Sequence, residues 1–215
     1  MILLKSNHFL LQFIVAIALV LCTVIVSTKI TYNFKQLYYY DVDKLNIVNS
    51  SGLDLASIKS NYNYIIDYLN KNNTDKFALP TLSYSSSGAT HFTEVKRIFK
   101  EMDYILLLCI LFICIFIIIF KKNKSFLYLK IAGIILILIP LILIPLSFLD
   151  FDKLFTIFHK ILFRNDLWLF DPKTDPIILI LPEQFFMHCM MLIVTFSTLL
   201  GGFYLVLYKK ITRTL

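Results

Sequence analysis

Four long apolar runs, residues 9–27, 103–120, 126–149 and 186–208, leave this chain few ways to fold. At the helical rise of 1.5 Å per residue, each run reaches across the roughly 30 Å of hydrocarbon in a bilayer. Inside lipid the backbone must satisfy its own hydrogen bonds, so such runs are read as helices. Hydrophobic residues make up 58% of the 215 positions, more than a chain with an all-aqueous surface carries. The first run follows Lys5, as the core of a signal peptide would. It is longer than such a core, however, and VSTKITYNF offers no small-x-small cleavage pattern, so it reads as an uncleaved anchor. Leu21 before Cys22 is too large for a lipoprotein signal. In the third run Pro140 and Pro145 are expected to kink the helix or locally unwind it. Gly201 and Gly202 in the fourth offer a close helix contact.

The formal charge of +7 is explained by where the basic residues lie. With both termini and the turn after residue 120 on one side of the membrane, that side carries Lys5, Lys121, Lys122, Lys124, Lys130, Lys209, Lys210 and Arg213 and no acid. The opposite side has a balance of −1. By the positive-inside rule both termini are cytoplasmic and the two large loops face outward. The excess charge is a topological label, which excludes a nucleic-acid partner. The expected architecture is an all-α membrane protein, with four transmembrane helices and an extracytoplasmic, mainly helical cap built from two loops. Residues 1–28 hold the tail and first span, 29–102 a Tyr-rich outer domain, and 103–149 the second and third spans with a basic turn. Residues 150–185 form an outer loop, and 186–215 the fourth span and a basic tail.

Within 29–102, Leu55, Ile58, Tyr62, Ile65, Ile66 and Leu69 recur at helical spacing, predicting an amphipathic helix over 54–70 with Asp54 at its start. Tyr38, Tyr39, Tyr40, Tyr62, Tyr64 and Tyr68 suggest a domain lying on the headgroup layer. Residues 71–88 read as loop, and Thr90 as the cap of a helix leading into the second span. Cys22, Cys109, Cys114 and Cys189 all fall in apolar runs, where buried, inert thiols are expected.

Candidate chemistry lies in the outward loops. Glu94 stands one helical turn from His91, so its carboxylate can orient that imidazole. His159 sits just beyond the edge of an apolar arc made by Leu154, Phe155, Ile157, Phe158, Ile161 and Leu162, which suggests an interfacial helix. His8 and His188 read as interfacial or packed residues. Asp166, Asp171, Asp175 and Glu183 are possible orienting groups, although Asp171-Pro172 and Asp175-Pro176 equally read as turns. Trp168 reads first as an interfacial anchor and second as the lining of an acyl-chain slot. No Gly-x-Ser-x-Gly elbow or His-Glu-x-x-His motif occurs, and the serines at 83 and 85–87 read as flexible loop. His91, Glu94, His159 and Asp166 form a conceivable zinc set, but no ligand spacing demands a metal.

Two stretches, HFTEVKRIF before the second span and FHKILFRNDLWLFDPKTDPIILILPEQFF before the fourth, resemble the bacterial lipoprotein intramolecular transacylase family, Lit. The four-span layout agrees with it over the whole length. This resemblance implies that the sn-2 acyl chain of an S-diacylglyceryl lipoprotein moves to the α-amine of the N-terminal Cys, giving a lyso-form product. It implies His91 and His159 as the catalytic pair, with diacylglyceryl-modified lipoproteins and membrane lipid as partners and no cofactor. Glu94, Asp166, Trp168 and Asp175 are possible orienting or substrate-contacting residues. Which histidine is base does not follow from the motif, and nothing in the sequence sets an oligomeric state. A zinc-dependent membrane hydrolase and a non-enzymatic membrane accessory or sensor protein are the competing readings. One geometric demand remains. A straight helix from Asp103 back to His91 would carry the imidazole about 18 Å beyond the span, so that helix must tilt or break, or the span must begin earlier.

Overall fold

The computed structural model describes residues 2–71, 76–122 and 125–213, without the side chains of 2–8, 119, 121 and 122. Lys124 and residues 72–75 of the expected loop lie outside the described residues, as do the side chains of Lys5, His8, Lys121 and Lys122. Among the described residues the secondary structure is entirely helical. In chain order the helices are α1 (Ile2–Asn33), α2 (Lys35–Lys44), α3 (Ile47–Ser51), α4 (Leu55–Asn70), α5 (Ser86–Lys122), α6 (Leu127–Leu149), α7 (Phe151–Leu162), α8 (Ile177–Ile180) and α9 (Glu183–Arg213). Four of them, α1, α5, α6 and α9, are long and apolar enough to cross a membrane. The helix in α6 continues through both Pro140 and Pro145.

The chain divides into two compact units. The first contains Met1–Ile30, Met102–Pro145 and Met191–Leu215. Its interior is built from small and medium apolar side chains, among them Val15, Ala16, Val20, Ala132 and Leu136, with Phe120 and Tyr128. Leu108, Ile118, Leu141, Leu199 and Val206 are exposed, a pattern costly in water and ordinary against lipid. Polar side chains point inward instead. Gln12 accepts from the Tyr128 amide at 2.9 Å and donates to the Ser125 hydroxyl, while the hydroxyls of Thr23 and Tyr204 pair at 3.0 Å. These are the cross-helix polar contacts expected where lipid offers no alternative partner. Gly201 supplies the predicted close approach: a Cβ there would come within 2.8 Å of Leu136 Cβ and 3.1 Å of the Gly133 carbonyl. Gly202 faces open space. Cys114, expected to be buried, is exposed among apolar neighbours on α5.

The second unit contains Thr31–Glu101 and Leu146–Met190, so the two loops flanking the second and third apolar runs fold as one body. Helix α4 follows the predicted pattern. Asp54 caps it by accepting from the Ser57 amide at 2.9 Å, and Ile58, Tyr62, Ile65 and Ile66 are buried. Half of the tyrosines read as facing a headgroup layer are spent on packing instead. Of those six, Tyr38, Tyr62 and Tyr68 are core residues and Tyr40 is the one largely exposed. The Tyr38 and Tyr62 rings stack at 3.6 Å, and the Tyr38 hydroxyl donates to the Ile180 carbonyl at 2.8 Å, so the polar tip is satisfied without reaching water. Asn61, also fully buried, bonds to Thr81 and the Leu82 amide and ties the segment before α5 to α4. His188 is packed, its Nδ1 lying 2.8 and 2.9 Å from the two carboxylate oxygens of buried Asp41.

Candidate active site

Helix α5 begins at Ser86, four residues before the predicted cap. Thr90 is inside the helix and its hydroxyl donates to the Ser86 carbonyl at 2.8 Å. The cap is Ser85, whose carbonyl accepts from the Ala89 amide at 3.0 Å and whose hydroxyl accepts from the Gly88 amide at 2.9 Å. The stretch read as flexible serine loop is thus a helix start, and the Ser85 hydroxyl has a structural task. Asp175 comes to the same point. Its carboxylate accepts from the Ser85 amide at 2.8 Å and from the Thr174 hydroxyl at 2.8 Å, an anion at the positive end of a helix. Burial works to raise the Asp175 pKa, but the bonds from Ser85 and Thr174 outweigh it and hold the carboxyl below its ordinary range. Asp175 is therefore no simple surface turn: it ties the 150–185 loop to the start of α5.

His91 follows in the second turn of α5 and His159 in the last turn of α7. Their ring centroids are 6.1 Å apart and the planes are inclined by 34°. Both residues are buried, at 6% and 8% exposure. Phe163 lies 4.7 Å from the His91 ring and 5.8 Å from the His159 ring, and Phe170 is 5.5 Å from His91. Phe155 is 4.2 Å and Trp168 4.6 Å from His159. Two imidazoles thus share an aromatic enclosure. Apart from Leu154 and Phe155, the apolar arc of α7 is turned the other way, with Phe158 53% and Ile161 75% exposed. His159 lies on the protein-facing side of its helix, deeper than the interfacial position its sequence pattern suggested.

The ring nitrogens differ. His159 Nδ1 lies 2.9 Å from the Phe155 carbonyl. A carbonyl only accepts, so Nδ1 carries the proton, and in the neutral ring Nε2 keeps a free lone pair. Burial pulls the His159 pKa below the ordinary imidazole value, against the opposing bond to Phe155. His91 Nδ1 is buried and has no hydrogen-bond partner among the described residues. Buried polar atoms are seldom left so, and one beside a second imidazole calls for a functional explanation.

Glu94 is not held by His91. Its carboxylate accepts from Asn165 Nδ2 at 3.0 and 3.2 Å. Asp166 is exposed, and its main-chain carbonyl accepts from the Leu169 amide at 3.1 Å. Trp168 is no exposed anchor: it is buried, stacks at 27° on His159, and donates its indole N–H to the Asn165 carbonyl at 3.0 Å. Asn165, which sequence reasoning passed over, joins these parts. Among the described residues no group of three or more His, Cys, Asp or Glu side chains is arranged to hold a metal ion; Glu94 is committed to Asn165 and Asp166 points to solvent, so the conceivable zinc set does not converge.

The family model of the lipoprotein intramolecular transacylase Lit matches residues 13–186. A solved structure, that of the membrane integral lipoprotein intramolecular transacylase Lit from Bacillus cereus determined in meso, is similar over 98% of this chain and 98% of its own, with 33% identity and a TM-score of 0.91. Two further structures of that protein each carry one substituted histidine, to arginine in one and to alanine in the other. Both are 33% identical to this chain with TM-scores of 0.86, covering 99% and 100% of it and 96% and 98% of their own chains. No curated protein sequence matches. On the extent of the family match and the full-length structural likeness, the chain is an integral membrane protein that belongs to the lipoprotein intramolecular transacylase family, Lit.

Proposed function

We propose that this chain catalyses intramolecular O-to-N acyl transfer on membrane lipoproteins, moving the sn-2 acyl chain of the S-diacylglyceryl group to the α-amine of the N-terminal Cys. The observation that carries the reading is the pair of buried imidazoles 6.1 Å apart, one with its tautomer set by a carbonyl. The neutral amine attacks the ester carbonyl carbon and forms the C–N bond. His159 Nε2 takes the proton that the nitrogen must lose. As the tetrahedral intermediate collapses, the bond from carbon to the glyceryl oxygen breaks and the His159 imidazolium returns that proton to the departing oxygen. One proton passes from nitrogen to oxygen, and the enzyme ends as it began. His91 donates its ring N–H to the oxyanion. Amine and ester belong to one molecule, so much of the barrier is removed by folding the substrate until they meet.

The positive-inside distribution supports cytoplasmic termini, with residues 29–102 and 150–185 forming a cap on the extracytoplasmic face. The outward apolar arc of α7 supports its lying at the boundary of lipid and water. The continuity of helix α5 between His91 and Asp103 supports a tilt, or an earlier start of the span, as the way His91 reaches ester depth.

The test is purified protein with a synthetic diacylglyceryl lipopeptide, the product read by mass spectrometry. His159→Ala is expected to lower the rate by about 100- to 10,000-fold and His91→Ala by about 100- to 1,000-fold. Parental rates in normally inserted variants would refute the assignment. An unchanged rate after chelation removes the zinc-hydrolase reading, and product formation by pure protein removes a purely accessory role.

A further inference from the structure

Between the two imidazoles runs a connection through Glu94, Asn165 and Trp168, which the two quoted stretches contain but whose contacts they do not reveal. Glu94 stands one turn after His91 on α5, and its two carboxylate oxygens receive the Asn165 amide at 3.0 and 3.2 Å. The Asn165 side-chain oxygen accepts from the Leu167 amide at 3.1 Å, which tightens the turn leading to Trp168. The Asn165 main-chain carbonyl then accepts the indole N–H at 3.0 Å, and the indole stacks on His159 at 4.6 Å. Both polar ends of the asparagine side chain are engaged, one with α5 and one with its own loop. A carboxylate acceptor makes the link to α5 the strongest of these bonds.

We infer that Asn165 is a positioning residue: anchored by Glu94, it holds Trp168 against His159 and so sets the distance between the two imidazoles. Resting on the transacylase reading, the inference names the part that keeps base and oxyanion donor in register. It also gives Glu94 a role different from polarising His91. The carboxylate serves as the fixed point of a clamp, and the imidazole it was expected to orient is left with an Nδ1 that has no partner among the described residues.

The bond can be reversed in direction, and Trp168 is the only tryptophan in the chain, so its emission reports on the stack without reference to activity. Asn165→Asp keeps the acceptor for the Leu167 amide but sets a second carboxylate against Glu94. In the full-length protein it is expected to lower kcat by about 10- to 100-fold, the scale of an ångström-sized misplacement. Trp168 emission should shift to the red and become more accessible to acrylamide. Combining Glu94→Gln with Asn165→Asp restores a donor facing an acceptor. The double variant should return both the emission and kcat to within about threefold of the parent, because the new amide donates to a carboxylate as the old one did. A double variant no better than Asn165→Asp alone, with the same thermal unfolding temperature as the parent, would overturn the inference. So would an Asn165→Asp protein with parental emission and rate. Emission that is lost and rescued in a protein without transacylase activity would keep the clamp and refute the reaction instead.

Discussion

The pair His159 and Trp168 shows how one contact sets both the place and the proton affinity of a base. The indole covers one face of the imidazole and excludes water, and burial is the leading reason that the His159 pKa lies below its ordinary value. A base with a lowered pKa is neutral and competent near pH 7 and is lost only as the pH falls well below about 6.5. Trp168→Ala lets water reach the ring, so the pKa should rise. The acid limb of the kcat profile should then move to higher pH, with less neutral base at any given acidic pH. A profile that stays in place or moves to lower pH would contradict this account. Residues of this kind were partly legible in the sequence. His91 and His159 stood out by residue type in the two loops expected to face outward, and the fold brings their rings to 6.1 Å of each other. Asn165 did not, because its partner Glu94 is 71 positions away and an asparagine beside an exposed aspartate looks like any turn. Trp168 was misread for a related reason: an aromatic among charged residues fits an interface as well as a packed stack, and only the tertiary partner decides.

At the scale of elements, the start of α5 matters most, because His91 is only two turns into it. Asp175 bonds to the Ser85 amide and leaves no room beside Gly88. A Cβ added at Gly88 would overlap the Asp175 carboxylate oxygen and come within 3.1 Å of its carbon. Gly88→Ala is expected to destabilise the protein by about 1–3 kcal/mol, the usual range for an added methyl in a filled space. Its rate should fall as well, because the helix end must move or the carboxylate must give way. Thermal unfolding in detergent together with the lipopeptide assay checks this, and a neutral substitution on both counts would show that Asp175 is free to yield. Local rules misplaced the cap of this helix by five residues, Thr90 for Ser85. Thr90 and Ser85 are both adequate caps by type, and the choice was made by Asp175, 90 positions downstream, binding the Ser85 amide. Helix α4 needed no such help: Asp54 and a clean apolar period carried the reading unaided.

In the whole molecule, membrane helices and the compact second unit differ in what a sequence can show. The apolar runs pointed to four helices because lipid permits little else. The tyrosines were harder. Their amphipathic rings suit a headgroup layer, yet in the second unit Tyr38 and Tyr62 find each other and a carbonyl for the Tyr38 hydroxyl. Besides the packing of Phe163 and Phe170 on His91, side-chain hydrogen bonds hold the 150–185 loop at α5 and its cap, through Asn165 on Glu94 and through Asp175 on Ser85. Between those places lies an exposed turn at residues 171–174. With the loop attached on both sides of that turn, the polypeptide is expected to tolerate being supplied in two pieces. Residues 1–172 and 173–215, co-expressed as separate chains, should associate, co-purify and process the lipopeptide. Fragments that insert yet fail to find each other would show that covalent continuity, rather than the two attachments, keeps the loop on its helix.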